Sequence, residues 1–80
     1  IRDIPISNTT IVIGEIGLLG EIRYVDNIER RLKEAYKMGF KKAIIPKVSG
    51  KTLDKIKDIK LEIKQVSKLT DAIIQGLKQD

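Results

Sequence analysis

Eighty residues, 41% apolar and 34% charged with a formal net charge of +5, suffice for one small domain with a modest core. Cysteine and histidine are both absent, which excludes disulfide staples, thiolate or imidazole metal sites and histidine acid–base catalysis. No apolar run approaches the ~20 residues of a membrane span and no signal-peptide pattern opens the chain, so a cytoplasmic protein without a membrane partner is expected.

The chain opens at Ile1 rather than methionine, and we read it as part of a longer protein. Residues 1–8 show no clear period, and Pro5 argues against a central strand there. From Thr9 to Ile16 the β-branched run Thr9, Thr10, Ile11, Val12, Ile13 predicts a strand buried on at least one face. Gly14, Gly17 and Gly20 then recur every third residue, pointing to a bulge or turn, placed near Leu18–Gly20. A second strand, Glu21 to Val25, alternates with Ile22 and Tyr24 on one face and Arg23 and Val25 on the other.

Asp26 and Glu29 are spaced as N-cap and N3 of a helix whose apolar stripe is Ile28, Leu32, Ala35 and Tyr36. Gly39 is the expected C′ residue, with Phe40 returning to the core. Ala43-Ile44-Ile45 reads as a short buried strand stopped by Pro46. A turn at Ser49-Gly50 precedes a helical segment with Leu53 and Ile56, and Leu61, Ile63 and Val66 mark another strand. Ser67 is expected to start a last helix lined by Leu69, Ile73, Ile74 and Leu77. The order β-β-α-β-(α)-β-α defines an α/β (α+β) domain, a mixed sheet with helices packed on it.

The charge is unevenly spread. Residues 26–46 hold six basic against three acidic groups, and residues 47–68 hold seven against three. The first 25 residues and the last twelve are slightly acidic. Such a central excess favours a polyanion, nucleic acid first. Arg30, Arg31, Lys33, Lys37, Lys41 and Lys42 fall largely outside the apolar stripe of the 27–38 helix or just after it, and Arg23 on the hairpin extends that surface. Two i,i+4 pairs, Glu29–Lys33 and Arg30–Glu34, offset part of it. Aromatic side chains for base stacking are scarce: Tyr24, Tyr36 and Phe40 all occupy expected core positions.

Chemistry-bearing motifs are few. Gly50-Lys51-Thr52 has the ending of a P-loop, but Ile45 stands where its first glycine belongs. No pair of carboxylates stands out, and serines cannot be matched to lysines by spacing. No catalytic residue and no metal ligand is assigned.

The string GEIGLLGEIRYV (14–25), the helix IERRLKEAYKMGF (28–40) and KKAIIPK (41–47) together resemble the C-terminal Lon-protease-like domain of the bacterial RadA/Sms DNA-repair proteins. The resemblance runs from about Thr10 to the end, making residues 1–80 the C-terminal portion of such a domain. Lon proteases share the plan, with a Ser–Lys dyad whose lysine position falls on Glu29 here; a carboxylate cannot serve as that neutral amine base. The dyad serine would lie before Ile1. What the resemblance implies is a non-proteolytic domain that follows a RecA-like ATPase and a zinc motif. It would help assemble a homo-oligomeric ring and bind DNA, single-stranded or branched, during recombination. The cofactors ATP, Mg and Zn would belong to the parent protein and not to this stretch. The alternatives are the C-terminal part of an ATP-dependent Lon-type protease domain, or a small basic nucleic-acid-binding module.

Overall fold

The computed structural model describes residues 2–77 without the side chain of Leu77. The elements are β1 (Arg2–Pro5), β2 (Thr10–Ile16), β3 (Ile22–Arg23), α1 (Ile28–Lys37), β4 (Lys42–Pro46), α2 (Gly50–Ile56), β5 (Glu62–Val66) and α3 (Leu69–Leu77). One mixed sheet runs β1-β2-β4-β5, with β3 also paired to β2. β1 and β3 are antiparallel to β2, whereas β2, β4 and β5 are parallel. The expected class and order hold, with β1 as an additional edge strand. Pro5 is compatible with it because an edge strand leaves one row of N–H groups unpaired.

β2 changes partner halfway along. Thr10 to Val12 pair with β4, whereas Glu15 and Ile16 pair with β3. The exchange falls at Gly14, whose φ of +154° is reached readily only without a Cβ. A Cβ there would lie 2.9 Å from Ile22 Cγ2, 3.1 Å from the Arg23 carbonyl oxygen and 3.3 Å from Pro46 Cδ. β1 follows the change with a bulge at Asp3, φ +52°, and Asp3 Oδ1 accepts the Gly14 N–H at 3.2 Å.

Alternation along the parallel strands divides the core between two faces. On one, Ile11, Ile13, Ala43 and Ile45 pack under α1 (Ile28, Leu32, Ala35) and α2 (Ile56), with Phe40, Ile59 and Ile63 at the margin. On the other, Val12, Ile44 and Val66 pack with Ile22, Ala72 and Leu69 beneath α3. The β2–α1–β4 and β4–α2–β5 crossovers step in one direction along the sheet, so crossovers of one hand place α1 and α2 on one face.

α1 ends in a Schellman motif. The Phe40 N–H donates to the Ala35 carbonyl at 3.2 Å and the Gly39 N–H to that of Tyr36 at 3.1 Å, with Gly39 at φ +99°. Three local expectations are corrected. Asp26 does not cap α1: Asn27 occupies that position in the left-handed region, and its side chain caps nothing. β3 stops at Arg23, so Ile22 and Val25 are both buried while Tyr24 turns out, 52% exposed. In α3 the inward residues are Leu69 and Ala72, with Ile6 against Gly76; Ile73 and Ile74 are exposed, the helix starts two residues after Ser67, and the Leu77 side chain lies outside the described set. The connection at Ser67–Lys68 pairs instead with the β3 limb, the Ile22 N–H donating to the Ser67 carbonyl at 2.9 Å.

Gly14→Ala is expected to combine a forbidden φ with three close contacts. We expect a loss of about 2–4 kcal/mol, whereas Gly39→Ala, whose Cβ would meet open space, should cost about 1 kcal/mol. Urea denaturation of both variants measures this; equal losses would dissociate the β2 partner exchange from Gly14.

Candidate nucleic-acid interface

α1 and α2 lie side by side on the sheet, α1 anchored by its buried stripe and α2 by Ile56, and their outward faces flank a groove. Residues 29, 33, 36 and 37 share one side of α1 because their spacings are those of successive helical turns. α2 is capped by Ser49, whose Oγ accepts the Thr52 N–H at 3.2 Å, and it presents Lys55 across the groove.

The seven basic residues of the expected surface separate into groups. Lys33 donates to Glu29 at 2.9 Å and Arg30 lies 3.8 Å from Glu34, both exposed pairs at the expected spacing. Arg23 is paired with Glu21 at 3.2 Å on the hairpin. Arg31 is withdrawn from the surface: its guanidinium is engaged by Asp3, and its Nε donates to the Asp26 carbonyl at 3.0 Å. Lys42 is a correction. At 5% exposure it lies on the α3 face, where strand alternation puts it with Ile44, and its ammonium donates to the Gln75 carbonyl and sits 3.7 Å from Glu62. Lys37 and Lys41 are exposed and make no ion pair among the described residues.

Two adjoining cavities of about 400 and 470 Å³ form the groove and share Glu29, Lys33 and Lys55. Tyr24 and Ile28 line one end, and Tyr36, Ile59 and Lys60 the other. Sequence reasoning placed both tyrosines in the core and overlooked Lys55 and Lys60. Tyr36 is instead 49% exposed, because Ile28, Leu32 and Ala35 already fill the space over the sheet. The available signal was the turn after Arg23 and the width of the α1 stripe. The hydrogen bond from Lys33, its charge and then Lys55 hold the Glu29 carboxyl below the usual range, so it stays anionic. The Glu21 carboxyl is likewise lowered, first by its own backbone N–H and then by that of Leu19 and by Arg23.

Gly50-Lys51-Thr52 forms the first turn of the seven-residue α2, with the Ser49 and Thr52 hydroxyls joined at 3.2 Å. The Thr52 N–H is already taken by Ser49 Oγ, and Ile45, buried in β4, stands where the first glycine of a phosphate loop belongs, so the stretch does not fit a phosphate cradle. A chain without cysteine or histidine does not fit a structural zinc site, and among the described residues no cluster of acidic side chains could hold a metal. Ser7 Oγ serves the β1–β2 turn, accepting the Thr9 and Thr10 N–H groups at 3.2 and 3.0 Å.

Fold and site together define a small mixed α/β domain with a basic, tyrosine-ended groove. Over 66 residues, 82% of the chain, it is 46% identical to the DNA repair protein RadA of Chlamydia pneumoniae, and over 73 residues, 91% of the chain, 40% identical to that of Escherichia coli. A 46-residue stretch, 58% of the chain, is 61% identical to the DNA repair protein RadA of a Synechocystis strain. The chain is thus similar over most of its length to a segment of RadA proteins, and it spans between 9% and 15% of the length of these relatives. No family model matches.

Lys42 and Lys37 should behave oppositely on truncation. Lys42→Ala leaves a carbonyl and a partly buried carboxylate without their cation and is expected to cost about 1–3 kcal/mol. Lys37→Ala should fall within about 0.5 kcal/mol of the parent. Chemical denaturation decides; a silent Lys42→Ala would show that its ammonium contributes nothing to docking α3.

Proposed function

We propose that the chain is a contact and assembly domain of a RadA-type DNA repair protein, binding DNA through the α1–α2 side of the sheet and carrying out no bond-breaking chemistry itself. The similarity to DNA repair proteins over most of the chain carries this reading. The basic excess around α1 and α2 supports the choice of ligand, since Lys37, Lys41, Lys55 and Lys60 are cations without ion pairs among the described residues. Contacts of this kind go to phosphates, so binding is sequence-independent and salt-dependent, about 10⁻⁴–10⁻⁶ M for one copy.

The Lon-like assignment rests on the resemblance of the Gly14–Arg23 hairpin and the following helix. In that frame Glu29, at the place of the dyad lysine, is an anion paired with Lys33 at the surface and supplies no neutral amine. The parent is a cytoplasmic ATPase whose ATP, Mg and Zn sites lie in other parts of the protein.

Self-association belongs to the same reading. Both sheet edges are blunted, β1 by its bulge and Pro5 and β5 by exposed Lys64 and Gln65, so pairing by strand addition is disfavoured. Leu18 and Leu19, almost wholly exposed on a turn closed by the Gly20 N–H to Gly17 carbonyl bond at 3.1 Å, offer a contact in its place. Light scattering at high protein concentration should show dimers or larger species, reduced by Leu18→Lys with Leu19→Lys. A monomer throughout overturns this part.

For DNA, Lys37→Glu, Lys41→Glu and Lys55→Glu combined should lower affinity at least tenfold at low salt. The salt slope should fall by about 1 for each phosphate no longer neutralised. Fluorescence anisotropy with a labelled oligonucleotide at two salt concentrations measures both. An unchanged affinity and slope would remove this side of the sheet from DNA contact.

A further inference from the structure

We infer that the α1–α2 groove holds a short run of single-stranded DNA, its bases stacked on Tyr24 and Tyr36 and its phosphates met by the surrounding lysines. This rests on the DNA-contacting reading and specifies the form of DNA and the residues that select it.

The tyrosines carry the inference. Half-exposed rings at both ends of one groove, beside the apolar margins of Ile28 and Ile59, are placed as stacking platforms. A tyrosine serving the core would be covered, and the core above the sheet is complete without either ring. The charge of the groove agrees. Arg30, Lys33, Lys37, Lys55 and Lys60 face two carboxylates, Glu29 and Asp58. Glu29 is held by Lys33 and Arg30 is paired with Glu34, which leaves Lys37, Lys55 and Lys60. The remaining cations are spread along both walls, as a backbone-tracking groove requires.

Length and access select the strand. The α1 wall from Asn27 to Lys37 spans about 15 Å at 1.5 Å per residue, room for about four nucleotides at the 3.4 Å stacked spacing. Both cavities are open to solvent, so a strand can lie along them without entering an enclosed pocket. Bases in a duplex are stacked on one another and present only edges in the grooves, so neither ring could reach a base face. Unpaired bases offer that face, whatever their sequence.

The chain itself contains the probe. It has no tryptophan, and its two tyrosines are the two in the groove, so intrinsic emission reports on this site alone. Titration with oligothymidylate of roughly a dozen nucleotides should quench tyrosine emission, and a duplex of equal length should quench it far less. By anisotropy with labelled DNA, Tyr24→Leu and Tyr36→Leu should each weaken single-strand binding about 5- to 100-fold while duplex binding stays the same. Tyr36→Phe, which keeps the stacking face, should retain single-strand affinity, and circular dichroism confirms that each variant is folded. If both DNA forms bind and the leucine variants bind single strands as the parent does, the groove assignment is overturned and the broader DNA reading stands. If neither form binds, both fall.

Discussion

The arrangement of this domain depends on β2 changing partners at Gly14. Parallel pairing with β4 up to Val12 requires a straight ladder on that edge, and antiparallel pairing with β3 from Glu15 requires the edge to be free again. The residue between them must pass close to Ile22, Arg23 and Pro46, which only a missing Cβ allows. Asp3 completes the joint. One carboxylate oxygen accepts the Gly14 N–H and the other holds Arg31 of α1, so a single side chain ties the edge strand, the bulge and the helix together.

That joint decides where charge can appear. Once α1 is fixed over β2 and β4, its Asp3-bound side is committed, and its other side turns toward α2. The two crossover helices then meet along walls that the sheet does not need for its core. Lysines and half-exposed tyrosines occupy the resulting groove. On the opposite face α3 makes a closer fit, with Ile6 against Gly76 and the Lys42 ammonium on the Gln75 carbonyl. Both faces of the sheet are thereby closed by packing, and the groove lies on the outer side of α1 and α2.

Elements with strong local signals were legible from sequence. The β-branched run from Thr9, the Ala43–Ile45 strand, the Gly39 helix stop and the i,i+4 pairs each rest on interactions within a few residues. Two failures are local, the Asp26 cap displaced by Asn27 in the left-handed region and the β3 limb that ends at Arg23, and the others involve partners distant in the chain. Arg31 looked like a surface cation because Asp3 is 28 residues away, and Lys42 because alternation within β4 says nothing of α3 until the topology is known. β1 was hidden by Pro5 and by a bulge that breaks its period. In α3, large apolar residues suggested the stripe, whereas close packing over β4 selects Ala72 and Gly76. The groove itself could not be read, since its walls come from two helices joined through a strand.

The same distinction explains which charges remain for a polyanion. Counting along α1 suggests a dense basic face, yet Arg31 is spent on Asp3 and Lys33 and Arg30 have carboxylate partners one turn away. What remains at the groove is assembled in space, with Lys37 from α1, Lys55 from α2 and Lys60 beyond it. Exposed pairs such as Glu29–Lys33 are weak and exchange readily, so Lys33 can change partner without disturbing the fold. The chain has no histidine, and the Glu29 carboxyl of the groove is shifted downward, first by the hydrogen bond from Lys33. For a lowered carboxyl the stabilising interaction is complete above its ordinary range and disappears only as pH falls through the depressed value. The field of the groove is therefore steady across neutral pH, and ionic strength is the variable that governs it.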